Sequence, residues 1–224
     1  MVTVHHLENS RSQRILWLLE ELDVPYDVRR YERDPETQLA PPELTAIHPL
    51  GKAPIVTDGD TTVAESGAII EYLVERYGDG RLLPPEGSPA HGQYRYFMHY
   101  AEGSFMPLMI LSLVMSRIES APVPFFLKPV TRGIADKVRK GYLDHSIERN
   151  LDFLEATLAA STWFTGEDFT AADVQMSFAV EAAAVRNDLS GRYPRLAAYL
   201  ERVRERPAYR AALEKGGPYS LLDS

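Results

Sequence analysis

The chain has 224 residues, 45% of them apolar and 25% charged, with a net charge of −8 and no cysteine. That is enough apolar material for one large domain or two modest ones, and it excludes a disordered chain. The absence of cysteine excludes disulfides, thiolate metal sites, a cysteine nucleophile and a C-x-x-C redox pair, so any sulfur chemistry must use a substrate's thiol.

The charge is unevenly placed. Residues 1–80 carry 7 basic and 15 acidic side chains, a net −8, whereas 81–224 carry 17 of each. An acidic first half argues against a nucleic-acid partner. An anionic ligand there would have to be held by local groups, since long-range attraction is missing. No apolar run reaches bilayer-spanning length, and residues 1–6 lack the basic and apolar zones of a secretory signal. A soluble, cytoplasmic protein is expected.

In chain order, residues 2–7 read as a buried strand. Ile15, Leu18, Leu19 and Leu22 follow the i, i+3, i+4, i+7 spacing of an amphipathic helix. Residues 26–31, after Pro25, read as a second strand, and the whole run fits a right-handed crossover. Pro41 and Pro42 allow only a short helix at 40–44. Residues 54–57 and 61–64 flank Asp58-Gly59-Asp60 as a hairpin. Ile70, Leu73, Val74 and Tyr77 mark a further helix that Gly78 and Gly80 end.

Residues 81–90, with Pro84, Pro85, Gly87 and Pro89, read as a linker. Everything from 91 to 224 reads helical: Tyr94, Phe97, Met98 and Ala101 on a long helix that Pro107 should kink, then Ile147, Leu151, Leu154 and Leu158. Thr170 and Asp173 form a capping box, flanked by Phe169 and Val174 as a hydrophobic staple. Helices beginning near Pro194 and Pro207 finish the chain.

Three stretches carry candidate chemistry. In 8–14, Asn9, Ser10 and Ser12 precede the first helix. Such residues ordinarily cap helices, but a helix start also favours a docked thiolate. In 48–56, Lys52 reads on its own as a surface lysine, and the Ala53–Pro54 bond would ordinarily be trans. In 64–73, Ser66 reads as a helix cap with Glu65 beside it. The six histidines form no H-E-x-x-H pattern, so no metal is expected. Phe125-Phe126-Leu127 could touch a membrane or cover a pocket, with core packing the commoner role.

These stretches occur in the order and spacing of glutathione transferases. The sequence resembles that family along nearly its whole length, through N-S-R-S-Q-R-I-L-W-L-L-E-E-L, H-P-L-G-K-A-P-I-V, A-E-S-G-A-I-I-E-Y-L and F-T-A-A-D-V. Arg33-Asp34, A-P-P-E-L at 40–44 and E-G-S-F at 102–105 resemble a fungal and bacterial subgroup. The resemblance implies a thioredoxin-like α/β domain over 1–80 and an all-α domain over 91–224.

It also implies glutathione as co-substrate, with no other cofactor. Ser66 would hold the γ-glutamyl carboxylate and Glu65 the ammonium group. Ala53, before a cis Pro54, would pair with the cysteinyl backbone, and Lys52 would face the glycyl carboxylate. With no Tyr or Cys in the loop, a serine type is implied, Ser10 favoured over Asn9 and Ser12. Phe105, Met106 and Met109 would line the second-substrate pocket. A homodimer is expected, with no aromatic key in 41–51.

Three activities share these residues: conjugation of glutathione to an apolar electrophile, glutathione-dependent reduction of a peroxide or disulfide, and non-catalytic glutathione binding. Lys52, Ala53, Pro54, Glu65 and Ser66 together favour the first two over the third.

Overall fold

The computed structural model describes residues 1–185, 189–217 and 219. Strand β1 (Val2–Leu7) leads into helix α1 (Ser12–Glu21), and β2 (Tyr26–Tyr31) returns parallel to β1, with Val4 opposite Val28. A short 3-10 turn, Pro42–Leu44, follows. Strands β3 (Ile55–Asp58) and β4 (Thr61–Ala64) form the hairpin, and β3 pairs antiparallel with β1. The sheet order is β2-β1-β3-β4. Gly59 starts the hairpin turn at φ 60°, a conformation glycine adopts without steric cost. Helix α2 (Ser66–Tyr77) completes a thioredoxin-like unit.

The remaining described elements are helical. Ser88 caps α3 (Pro89–Tyr100) by accepting the His91 N–H at 3.2 Å. The helix then runs on through a π turn, Ala101–Phe105, into α4 (Met106–Glu119). Proline lacks an N–H and crowds the preceding turn, and the wide π turn just before Pro107 accommodates both defects. The sequence offered no spanning apolar run, yet the helix through Pro89–Glu119 is 31 residues long and apolar enough by composition to cross a bilayer. Its residues Phe97, Ala101 and Phe105 are fully buried in the core.

Helix α5 (Lys128–Val138) joins α6 (Asp144–Ala160) through a second π turn. Then come α7 (Ala171–Ala184), α8 (Leu189–Arg192), α9 (Pro194–Glu205) and α10 (Pro207–Gly216). The capping box at Thr170 is present, and the Asp173 carboxylate also accepts the Phe164 N–H at 2.9 Å. Complete burial pushes the pKa of Asp173 up to about 6 against those hydrogen bonds.

Helix α1 is buried on every side from Ser12 to Leu19, because α7 and α10 cover the face turned away from the sheet. Phe125 and Phe126 depart from the expected core packing. They stand 83% and 64% exposed, in a short turn with no buried residue.

Candidate active site

A cleft of about 250 Å³ lies at the mouth of the sheet, between the start of α2 and the start of α1. It collects Lys52, Ala53, Pro54, Glu65 and Ser66 from the sequence-derived set. Arg11, His48, Leu50, Glu102 and Ile110 line it as well.

The chain reaches β3 through Gly51, at φ +56°. A Cβ there would lie 2.6 Å from the Thr45 side chain, so only glycine fits the turn. The Ala53–Pro54 bond is cis, and both residues border the cleft. On the opposite wall Glu65, rather than the expected Ser66, is the N-cap of α2, and its side chain makes no capping bond. Its φ of 73° with ψ 128° is strained for a residue with a Cβ.

That strain sets Ser66 as the first helical residue. Its hydroxyl makes no hydrogen bond to the described residues, and neither Lys52 nor Glu65 has a side-chain partner among them. A carboxylate, an ammonium group, a hydroxyl and the free N–H groups of a helix start therefore share one cleft without satisfying one another. Such a set complements a ligand with two carboxylates and one ammonium group.

The serines before α1 lie deeper. Ser10, 7% exposed, donates from Oγ to the Leu7 carbonyl at 2.8 Å and accepts the Ser12 N–H at 3.2 Å, while Arg11 is the N-cap of α1. Ser12 is fully buried. Its Oγ lies 2.7 Å from Ser10 Oγ and 2.8 Å from His6 Nδ1. Burial pulls the His6 pKa down to about 4, against an opposing hydrogen bond to the Gly216 backbone. The ring is therefore neutral near pH 7, and it shares one proton with the Ser12 hydroxyl across their contact. Asn9 is partly exposed at φ 49°. None of the three lines the cleft.

Arg11, between them, does. Its guanidinium lies 3.1 Å from the Glu102 carboxylate and 5.4 Å from the Phe178 ring centre. Glu102 also pairs with the buried Arg14, which donates to the Gln175 carbonyl. Burial lowers the Arg14 pKa and Glu102 opposes that shift. One carboxylate on the helical domain thus orients two arginines at the start of α1.

Phe105, Met106 and Met109 are corrected as pocket residues. At 0%, 4% and 1% exposure they are core, and the α4 residue at the cleft is Ile110. Leu113, Val114 and Arg117 follow it at i+3, i+4 and i+7. The helical period holds this clue, but only the position of the core selects the phase.

A four-stranded thioredoxin-like sheet with a cis-proline at its mouth, followed by a helical unit, defines a two-part α/β plus all-α class of protein. Family models of the glutathione S-transferase N-terminal and C-terminal domains match residues 1–75 and 143–202. Glutathione S-transferase 3 of Schizosaccharomyces pombe is 40% identical over 96% of this chain and 88% of its own. Glutathione S-transferase 1 of Saccharomyces cerevisiae is 31% identical over 96% and 95%. A crystal structure of a glutathione S-transferase from Actinobacillus pleuropneumoniae superposes with a TM-score of 0.81 at 32% identity, covering 100% of this chain and 97% of that one. The chain belongs to the glutathione S-transferase family, whose relatives here are named as transferases.

Proposed function

We propose that the cleft binds glutathione and presents its thiol as a thiolate to an apolar electrophile. The carrying observation is the unpartnered set Lys52, Glu65 and Ser66 around the Ala53 backbone. Ser66 and the first N–H groups of α2 take the γ-glutamyl carboxylate, and Glu65 takes the ammonium group. The peptide lies along Ala53 as an added strand, and Lys52 faces the glycyl carboxylate. A glutathione transferase from a sphingomonad, 22% identical with a TM-score of 0.73, is described as complexed with glutathione, which supports the ligand.

The thiol then points toward the start of α1. Lowering a thiol pKa from ~8.5 by about two units needs roughly 2.7 kcal/mol in favour of the thiolate. A cation about 5 Å away supplies roughly 3 kcal/mol at an effective dielectric near 20. Glu102 offsets part of the Arg11 charge, so a hydroxyl or N–H donor must add to it. Ser10 retains some surface and is the hydroxyl in this role, its O–H turning from the Leu7 carbonyl to the thiolate when glutathione binds. Ser12 is sealed behind it and positions it. Ile110 supplies an apolar wall for the electrophile.

Calorimetry tests the binding mode. Ser66→Ala and Glu65→Gln should each weaken glutathione by about 1 kcal/mol or more. Unchanged affinity in both variants removes the site. A second copy as partner is supported by Leu50, Tyr96 and Phe153, which are 60%, 47% and 41% exposed. Sedimentation should show a dimer that Leu50→Glu weakens.

A further inference from the structure

The tip of the helical hairpin takes no part in the cleft. Residues 117–142 end α4, turn and run along α5. They expose Phe125 (83%), Phe126 (64%), Val130 (55%), Ile134 (54%) and Tyr142 (58%). None of these side chains joins either hydrophobic core. The Phe125 and Phe126 rings meet each other edge to face at 5.7 Å. Phe126, Val130 and Ile134, four residues apart, form a stripe along one side. Of the eleven residues of α5, Ala135 is the one that is buried. An exposed cluster of large apolar side chains marks an interaction surface.

Charge selects what that surface meets. Arg117, Lys128, Arg132, Lys137, Arg139 and Lys140 face Glu119 and Asp136, six against two, so this segment carries +4 in a chain of net −8. Arg139 is tied to Glu119 at 3.0 Å. Lys128, Arg132, Lys137 and Lys140 have no salt bridge among the described residues. Two copies of this patch repel each other, whereas a negatively charged surface attracts it. Lysine stems can lie along apolar ground while their heads reach outward. Aromatic side chains interleaved with such lysines are the composition of a helix that lies in a lipid interface.

We propose that this tip docks peripherally on an anionic lipid bilayer. Phe125, Phe126, Val130 and Ile134 enter the headgroup region, and the basic side chains meet the lipid negative charges. The docking is independent of glutathione, so it stands or falls apart from the proposed catalytic reading.

The experiment is cosedimentation of the full chain with phosphatidylcholine vesicles, with and without phosphatidylserine. The wild type should bind the phosphatidylserine vesicles at low salt, ignore the neutral ones, and be released as salt rises. Phe125→Ser/Phe126→Ser should lower the bound-to-free ratio about tenfold or more, with an unchanged melting temperature because neither ring packs into a core. Lys128→Gln/Arg132→Gln/Lys137→Gln should abolish the preference for phosphatidylserine. No binding to phosphatidylserine vesicles, or binding undiminished in the Phe variant, overturns the proposal. Self-association of the wild type that the Phe variant abolishes, without vesicle binding, assigns the patch to a second copy and also overturns it.

Discussion

His6 and Asp173 are both buried and titrate in the same pH window with opposite effects on stability. The His6 pKa falls from 6.5 to about 4 on folding. The stability tied to its neutral form is therefore complete above pH 6.5 and lost as pH falls toward 4. The Asp173 pKa rises from 3.8 to about 6. The stability tied to its protonated form is complete below 3.8 and lost as pH rises through 6. From pH 7 to pH 5 the His6 shift costs about 2 kcal/mol and the Asp173 shift returns about 1 kcal/mol.

Each group thus masks the other in the wild type, and substitution separates them. His6→Gln should lose about 2 kcal/mol less than wild type between pH 7 and pH 5, and Asp173→Asn about 1 kcal/mol more. Urea unfolding followed by tryptophan fluorescence reads both domains, since Trp17 and Trp163 are buried in different ones. Only the pH difference matters, because Asp173→Asn also weakens the α7 cap at every pH. If His6→Gln and wild type lose stability in parallel, His6 is not held neutral by its burial.

The thiolate assignment is read from the ultraviolet absorbance of bound glutathione against pH. Ser10→Ala should raise the thiol pKa by one unit or more, and Arg11→Gln should raise it independently. A curve that shifts in Asn9→Ala but in neither of these moves the role to Asn9. Phe105→Ala should cost about 3–5 kcal/mol of stability as a core cavity. Ile110→Ala should leave stability nearly unchanged and raise KM for an apolar electrophile. Equal melting temperatures for the two variants would refute the division between core and cleft.

Much of the candidate cleft was legible because many of its lining groups come from short contiguous motifs. Glu65-Ser66 and Lys52-Ala53-Pro54 each arrive on a few residues of chain, so adjacency in sequence placed each set together. The cis state of Pro54 was not local information. A residue's own preference is trans, and the resemblance alone pointed to cis. The N-cap of α2 was misplaced by one residue for a similar reason: serine is the better cap, but the strained Glu65 occupies that position and leaves the Ser66 hydroxyl free.

The strands, the hairpin and the helical second half followed from period and punctuation, since alternation, i+3/i+4 spacing and Gly or Pro breaks act within a few residues. What surrounds an element does not. Ile15, Leu18, Leu19 and Leu22 announced one buried face of α1, but α7 and α10, more than a hundred residues away, bury the other. Phe105, Met106 and Met109 were the apolar candidates for the cleft, and the packing of α4 against the core turned them inward and the unnamed Ile110 outward. Arg11 was one of two arginines at the first helix until Glu102 fixed it at the cleft. Phe125 and Phe126 read as core because apolar side chains usually are, and the hairpin tip extends beyond any element that would cover them. Local preference is written in neighbouring residues, whereas burial, phase and partnership depend on segments that only folding brings together.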